Sequence, residues 1–305
     1  MGKIEKVIVA LENDGLRLDQ FLSLAFPKYS RTIFQTLIDE GSVFVSGLPQ
    51  KKRYLVAAGD EITFEIPEEK PISLTPEAIP LTILYEDECM VVLNKPPHLV
   101  VHPGAGNWSG TVVHGLLHHV KSLDHDDPIR PGIVHRLDKD TSGVLITAKN
   151  STIHRALSNQ FAQREVEKRY TAIVRGRMDK AQTIDSPIGR DPRNRLKMAV
   201  VPTGKPAVSI ITPLEKLPSA TVVDIQLVTG RTHQIRVHLS HIGFPILGDR
   251  LYGGGKQLSS SILVERQMLH CRMIALQHPE SKQRMVFEAP LPEDMQMLLS
   301  QLKRL

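Results

Sequence analysis

Gly132-Ile133-Val134-His135-Arg136-Leu137-Asp138-Lys139-Asp140-Thr141-Ser142-Gly143 is the densest run of chemistry in the sequence. Apolar residues at 132–137 lead into it and others at 144–148 leave it, so two strands are expected around a polar loop. Loops held between rigid strands are where catalytic side chains usually sit. With Arg136 and Lys139 beside it, Asp138 is expected as a carboxylate able to act as a nucleophile or a base. The same run also reads as a charged hairpin turn in which Asp140 or Thr141 caps the backbone. Local pattern leaves both readings open.

Downstream lies a second constellation, Thr229-Gly230-Arg231-Thr232-His233-Gln234-Ile235-Arg236-Val237-His238. It follows an alternating stretch, 223–228, that reads as a half-buried strand. Thr232 is expected to cap a helix carrying Ile235, Leu239 and Ile242 and closed by Gly243. A cation at a helix start is disfavoured by the dipole, so Arg231 implies a carboxylate or phosphate close by. Arg236, further along, is placed to reach another anion. A strand–turn–helix with surface basics is the plainer reading. Strands are also expected at 82–85, 90–94 and 170–174, and a helix after Asn150 or Ser151. Strands cluster here rather than alternate with helices, which favours mixed α+β over a doubly wound nucleotide fold.

The 305 residues predict about two domains. Hydrophobic residues are 41% and aromatics only 5%, so a core is expected and Leu, Ile and Val must fill it. No apolar run approaches the ~18–20 residues that span a bilayer. The mixed-charge N-terminus does not read as a secretory signal. Cys89 and Cys271 give neither a disulfide framework nor a zinc spacing and read as apolar filler. A cytoplasmic, reduced protein is the expectation. The stretch His118-His119-Val120-Lys121-Ser122-Leu123-Asp124-His125-Asp126-Asp127 looks metal-like but lacks an HExxH arrangement and reads as a solvated loop. Gly253-Gly254-Gly255-Lys256 lacks the features of a P-loop. No metal and no cofactor are expected. The net charge of +5 is unevenly spread: residues 1–75 sum to −2 and residues 149–205 to +8. Such a concentration suits a polyanionic partner or a solvated basic face.

Three prolines, Pro71, Pro76 and Pro80, mark a linker at 71–80 between domains at 1–70 and 81–305. Before it, Leu18, Phe21, Leu22 and Ala25 recur at helical spacing up to Pro27. Ser30 is expected to cap a second helix carrying Ile33, Phe34, Leu37 and Ile38 and ending at Gly41. Strands at 43–45 and 61–66 complete a small α+β module.

The run 132–143 resembles the catalytic motif of pseudouridine synthases of the A/C/D type, which act on large-subunit ribosomal RNA. Val92-Leu93-Asn94-Lys95-Pro96-Pro97 with His102-Pro103 resembles their first motif, and Lys168-Arg169-Tyr170 the segment supplying the active-site tyrosine. Gly230-Arg231-Thr232-His233-Gln234-Ile235-Arg236 with Gly248-Asp249 resembles the third. Leu16-Arg17-Leu18-Asp19, Ser30-Arg31, Gly41 and Gly59-Asp60 resemble an S4 RNA-binding domain. Segments at 187–190, 197–200 and 204–207 are most similar to the D-type subgroup. Three residues depart from the pattern: His98 where glycine is frequent, Phe244 where histidine is, and Ser46 where asparagine is.

The resemblance implies an S4 module followed by a mixed, mainly antiparallel sheet with flanking helices. It implies isomerisation of uridine to pseudouridine in RNA, without a cofactor. Asp138 would be the catalytic carboxylate, attacking C1′ or removing a sugar proton. Tyr170 would pack against the uracil, and Arg231 would pair with Asp138. Arg136, Lys139, Arg190, Arg193, Arg195 and Lys197 are the expected RNA contacts in the catalytic domain, with Arg17, Arg31, Lys51, Lys52 and Arg53 in the S4 module. Bacterial large-subunit rRNA is the expected substrate, with tRNA as the alternative. A non-catalytic S4-type RNA-binding protein and a hydrolase using Asp138 with Asp140 are the competing readings. A monomer without membrane association is expected.

Overall fold

The computed structural model describes residues 3–29, 31–66, 74–104, 107–121, 123, 129–194, 196–255 and 262–304. The chain divides into two compact units, Met1–Ser73 and Leu74–Leu305. Pro71 and the cap expected at Ser30 lie outside the described residues, as does Arg195. The second unit starts inside the stretch read as a linker. Glu77 N–H donates to the His114 carbonyl, and the Glu77 carboxylate accepts from Gly110 N–H.

The first unit comprises β1 (Lys3–Ile8), α1 (Leu18–Ala25), α2 (Arg31–Asp39), β2 (Val43–Val45), β3 (Leu48–Pro49) and β4 (Glu61–Ile66). The sheet runs β1-β4-β2-β3, all antiparallel. Strand β1 has no counterpart in the sequence reading, because Ile4 and Ile8 point to solvent and blur the alternation. Leu18, Phe21 and Leu22 of α1 and Phe34, Leu37 and Ile38 of α2 bury the expected faces against this sheet. Phe34 meets Phe64 edge-on at 5.5 Å, a favoured arrangement of ring quadrupoles. Asp19 is buried and accepts from Arg17, Arg31 and Gln35. Desolvation opposes its charge, but these hydrogen bonds outweigh it and hold the Asp19 carboxyl at about 2.

The second unit comprises β5 (Ile83–Glu86), β6 (Met90–Lys95), α3 (Val112–His119), β7 (Ser142–Ala148), α4 (Ser151–Gln163), β8 (Glu167–Arg175), β9 (Gln182–Asp185), β10 (Ile188–Arg190), β11 (Met198–Val200), β12 (Val208–Lys216), β13 (Ala220–Leu227), α5 (Gln234–His241), β14 (Leu269–Gln277), β15 (Arg284–Glu288) and α6 (Glu293–Leu302). Among the described residues nine strands form one sheet in the order β5-β6-β7-β14-β8-β13-β12-β9, with β15 against β14. Every pairing in it is antiparallel except β7 with β14. This is the mixed, mainly antiparallel sheet that the resemblance implies. Strands β10 and β11 form a separate hairpin. Helix α4 begins as expected, with the Asn150 side chain accepting from Ile153 N–H.

Three local expectations are corrected. Residues 132–137 form a loop with a single bridge, Ile133 to Thr147, rather than a strand. The reason is that the His135 ring and the Gly132 carbonyl accept the Ile146 and Ala148 N–H groups at the edge of β7. Strand β13 is buried on both faces, since Arg169 and Arg272 neutralise Asp224 and let it enter the interior. His118 and His119 end α3 instead of lying in a loop, and Ser122 and residues 124–128 lie outside the described residues. Cys89 is buried in the core, as expected, and its ligand-type atom lies within 4.8 Å of those of Asp87 and His278. His278 Nε2 donates to Asp87, and its Nδ1 accepts from two backbone N–H groups, so the cluster clasps two turns together.

The departures at Ser46 and His98 have φ of 48° and 66°. That is the left-handed region that glycine and asparagine favour. His98 gains a 2.9 Å contact from Nδ1 to Asp140 in return.

Candidate active site

Asp138 is held in place from beneath its own loop. The Lys95 ammonium, 1% exposed, donates to the carbonyls of Pro96, Leu99 and Lys139. Arg266 Nη1 donates to the Asp140 carbonyl, and Gln267 to the Thr141 hydroxyl. The buried Leu137 side chain anchors the loop in the core. Burial pushes the Lys95 amine down to about 7, while Asp140 and Asp138 pull it upward. Three carbonyl acceptors match the three hydrogens of an ammonium group.

Beside Asp138 opens a cleft of about 390 Å³ lined by the 134–141 loop, α4, β8 and the 227–236 turn. Arg136, Arg164, Lys168, Arg231 and Arg236 line it, and Asp138 is its acid among the described residues. Tyr170 also lines it, 6% exposed. Burial raises the phenol well above its usual value, and Cys271 and Asp138 add to the effect. A phenol so shifted is a poor base near neutral pH. His135 stacks on Phe161 at 4.6 Å, and burial first, then Lys168, takes its ring down to about 3.

The expected partnership between Arg231 and Asp138 is not found. Arg231 Nε donates to the Pro206 carbonyl. Arg236 takes the place, its Nη1 donating to Asp138 Oδ2 at 2.8 Å. The same guanidinium grips Asp249 with Nε at 2.6 Å and Nη2 at 2.9 Å. Burial works against its charge, but Asp249 and Asp138 more than compensate and hold Arg236 above its ordinary value. The physical reason lies in the turn. Helix α5 starts at Gln234, with His233 at its N-cap in a left-handed conformation, φ 56°, so Thr232 is not the cap. Gln234, 3% exposed, accepts from Arg231 N–H and the Thr229 hydroxyl and donates to Val208 and Ser209. This stitching sends Arg231 outward and turns the first turn of α5 toward Asp138. The signal in the sequence was the spacing of Arg236 from Gly248-Asp249 within one motif.

His233 has no counterpart among the predicted residues. Met198 N–H donates to the Tyr252 hydroxyl, whose hydrogen is then available to His233 Nδ1 at 2.8 Å. That tautomer carries its proton on Nε2, 3.8 Å from Asp138 Oδ1. Burial depresses His233, although Asp138 opposes the shift.

The expected RNA contacts sort into several groups. Arg136 is exposed in the cleft and donates to His102. Lys139 is exposed but is not part of the cleft wall. Arg190, Arg193 and Lys197 lie on or beside the β10–β11 hairpin, Arg190 and Arg193 exposed. In the first unit Arg17 and Arg31 are committed to Asp19, and Lys52 to Asp39. Lys51 and Arg53 are exposed and carry no ion pair among the described residues.

A loop carboxylate held by a buried arginine inside a cationic cleft fits an enzyme that works on a polyanion. The comparisons agree. Residues 89–241 match the family described as RNA pseudouridylate synthase, and residues 16–62 match the S4 domain. The chain is 42% identical to an uncharacterized RNA pseudouridine synthase, YlyB, of Bacillus subtilis, over 100% of this chain and 99% of that one. It is 43% identical to ribosomal large subunit pseudouridine synthase D of Pseudomonas aeruginosa, over 97% and 95%. The solved structure of human RNA pseudouridylate synthase domain containing 4 superposes with a TM-score of 0.57 at 29% identity, covering 73% of this chain and 93% of that one. The chain belongs to the RNA pseudouridylate synthase family. It is an isomerase that converts uridine in RNA to pseudouridine and carries an N-terminal S4 domain. Among the described residues no helix is long and apolar enough to cross a membrane.

Proposed function

We propose that the substrate is a uridine of large-subunit ribosomal RNA and that Asp138 Oδ1 is the reacting oxygen. The observation that carries this is the asymmetry of the carboxylate. Oδ2 is taken by Arg236 at 2.8 Å, while Oδ1 makes no hydrogen bond among the described residues. The cleft volume falls in the ~300–1,000 Å³ range of sites that enclose one small ligand. A flipped nucleotide is such a ligand, and flipping costs a few kcal/mol, least where the base is unpaired. Arg136 and Arg164, exposed, and Arg231, partly exposed, favour a phosphate backbone at the rim.

Oδ1 either bonds to C1′ or takes a sugar proton, breaking the bond from C1′ to N1. The uracil turns against Tyr170 and bonds through C5 to C1′ as the bond to Oδ1 breaks or the sugar proton returns; the C5 proton then leaves and N1 takes one up. Tyr170 serves as a platform for the ring, since its phenol is held protonated. Arg236 orients Asp138, and Arg231 serves as a rim contact to RNA. The S4 unit adds a second grip through Lys51 and Arg53. The similarity to large-subunit synthases from several bacteria supports the ribosomal target. Free buried Cys89 and Cys271 suit the cytoplasm.

The test is tritium release from RNA labelled at uracil C5, with the protein and its Asp138→Asn variant. Release from a large-subunit rRNA transcript by the first and not the second is expected. Equal release by both would overturn the role of Asp138. Release from tRNA but from neither rRNA nor an assembled ribosomal particle would overturn the substrate.

A further inference from the structure

Lys168 sits two residues before Tyr170 on β8, so both side chains leave the same face of the strand, and both line the cleft. Lys168 is 7% exposed. Its ammonium makes no hydrogen bond and no ion pair among the described residues. Its neighbours are the Phe161 ring, with Nζ 5.8 Å from the centroid, the Cys271 thiol and the Arg164 guanidinium. Among the described residues Ser219 Oγ is the fully sealed side-chain polar atom without a partner. Nζ of Lys168 is therefore not sealed, and the residue lines the cleft.

This is an unusual position for a cation. Lys95 is also buried but gives its three hydrogens to three carbonyls. Lys168 is largely withdrawn from water and has no protein acceptor for any of its hydrogens among the described residues, and burial lowers its affinity for the proton. An unpartnered buried donor is costly. Such a group persists where an acceptor arrives with the ligand. Two acceptors are available on RNA, phosphate and base. Phosphates stay at the rim, where Arg136 is exposed and Arg231 partly so. Lys168 lies deeper, beside the ring platform of Tyr170.

We propose that Lys168 is a catalytic residue that holds the uracil ring through the negative charge it carries between leaving and re-attacking the sugar. The proposal rests on the role of Asp138 given above. When the C1′–N1 bond breaks, its electron pair stays with the ring, whether Oδ1 bonds to C1′ or removes a sugar proton. The ring becomes a monoanion delocalised over N1, O2 and O4. The bond from C5 to C1′ uses an electron pair of that anion as Oδ1 leaves C1′ or returns the sugar proton, so the ring is neutral again; the C5 proton then departs while N1 takes up a proton, which restores the conjugated ring. The charge exists only between the first bond breaking and the second forming. A preorganised cation aimed at it stabilises the transition state more than the ground state. It also tethers the detached ring while it turns. The Phe161 face keeps water from the ammonium without competing as a hydrogen-bond acceptor.

The experiment uses the full-length protein with Lys168→Met and Lys168→Arg variants and Asp138→Asn as control. It measures single-turnover rates with uridine and with 5-fluorouridine at the target position, whose ring leaves as a weaker base. Cleavage is followed by nuclease digestion and chromatography, RNA affinity by filter binding, and folding by thermal melting. Lys168→Met is expected to lower the uridine rate about 10²–10³-fold, as loss of one electrostatic donor does elsewhere. RNA affinity is expected to stay within about 3-fold, as for a contact made only in the transition state. The defect is expected to shrink at least about 10-fold with 5-fluorouridine, and Lys168→Arg to recover part of the rate. Lys168→Met is expected to melt no lower than the parent, because methionine replaces an unpartnered charge.

Weaker RNA binding at an unchanged rate would make Lys168 a phosphate anchor and overturn the proposal. An equal loss with both substrates, or a lowered melting temperature, would make it structural. Full activity in Asp138→Asn would overturn the site reading itself, a result separable from full activity in Lys168→Met alone.

Discussion

Arg236→Lys and Arg231→Ala together test the central arrangement of the site. Arg236 makes three charge-assisted hydrogen bonds, two to Asp249 and one to Asp138, and its side chain is 9% exposed. A lysine keeps the charge but presents a point cation in place of a planar fork. It can stay with Asp249, which is 1% exposed, or reach Asp138, but it cannot keep all three bonds. A hydrogen bond to a charged group contributes about 1.5–3 kcal/mol. Losing the Asp138 contact is therefore expected to cost about 2–3 kcal/mol in the barrier, a fall of about 30–160-fold in turnover. The weakened grip on Asp249 is expected to lower stability by about 2–4 kcal/mol in urea unfolding, as for other disrupted buried ion pairs. Arg231→Ala loses a partly exposed side chain with one carbonyl contact, so turnover is expected within about 3-fold and stability within about 0.5 kcal/mol. Its effect belongs in KM and in the salt dependence of RNA binding. Single-turnover tritium release measures the chemistry, and multiple-turnover assays measure KM. A loss above about 30-fold in Arg231→Ala turnover, with Arg236→Lys near the parent, would refute the reasoning.

Other outcomes follow from the same geometry. Asp138→Asn is expected to abolish tritium release while leaving the melting temperature nearly unchanged, since Arg236 keeps Asp249. Tyr170 is expected to show no phenolate absorbance at 295 nm below pH 10, because burial raises its proton affinity; a rising ultraviolet signal between pH 7 and 9 would contradict this. Asp19 sits at about 2 when folded, against 3.8 ordinarily. Its stabilisation is present above pH 3.8 and lost as pH falls toward 2. After screening by two half-exposed arginines this amounts to about 1–2 kcal/mol. Asp19→Asn should therefore flatten the acid limb of unfolding of the first unit, followed by tryptic susceptibility or amide exchange. Gly143 has φ of 114°, and a Cβ there would overlap the Cys271 carbonyl. Gly143→Ala is expected to cost about 3 kcal/mol or more, measured by urea unfolding.

The sequence by itself determined much of this protein. Helical spacing in 18–38 and the turn glycines located the helices of the first unit, because amphipathic periodicity and left-handed caps are local. The loop carrying Asp138, the capping of α4 by Asn150 and the clustering of strands were equally legible. So was the concentration of positive charge in the middle of the chain. Three kinds of feature were decided only by tertiary structure. Strands such as β1 and β13 break the alternation rule, since burial of Asp224 depends on arginines 55 and 48 positions away. Residues 132–137 lost their strand character to a side chain, because the His135 ring takes the Ile146 N–H that a neighbouring strand would have used. The partner of Asp138 moved by five positions, from Arg231 to Arg236. A helix start one or two residues later than its sequence signal rotates every following side chain by about 100° per residue, and only the Gln234 contacts to β12 fix that start. Sequence spacing shows which chemistry the chain carries. Which guanidinium meets the carboxylate depends on the rotation of one helix against one strand, and long-range hydrogen bonds set that angle.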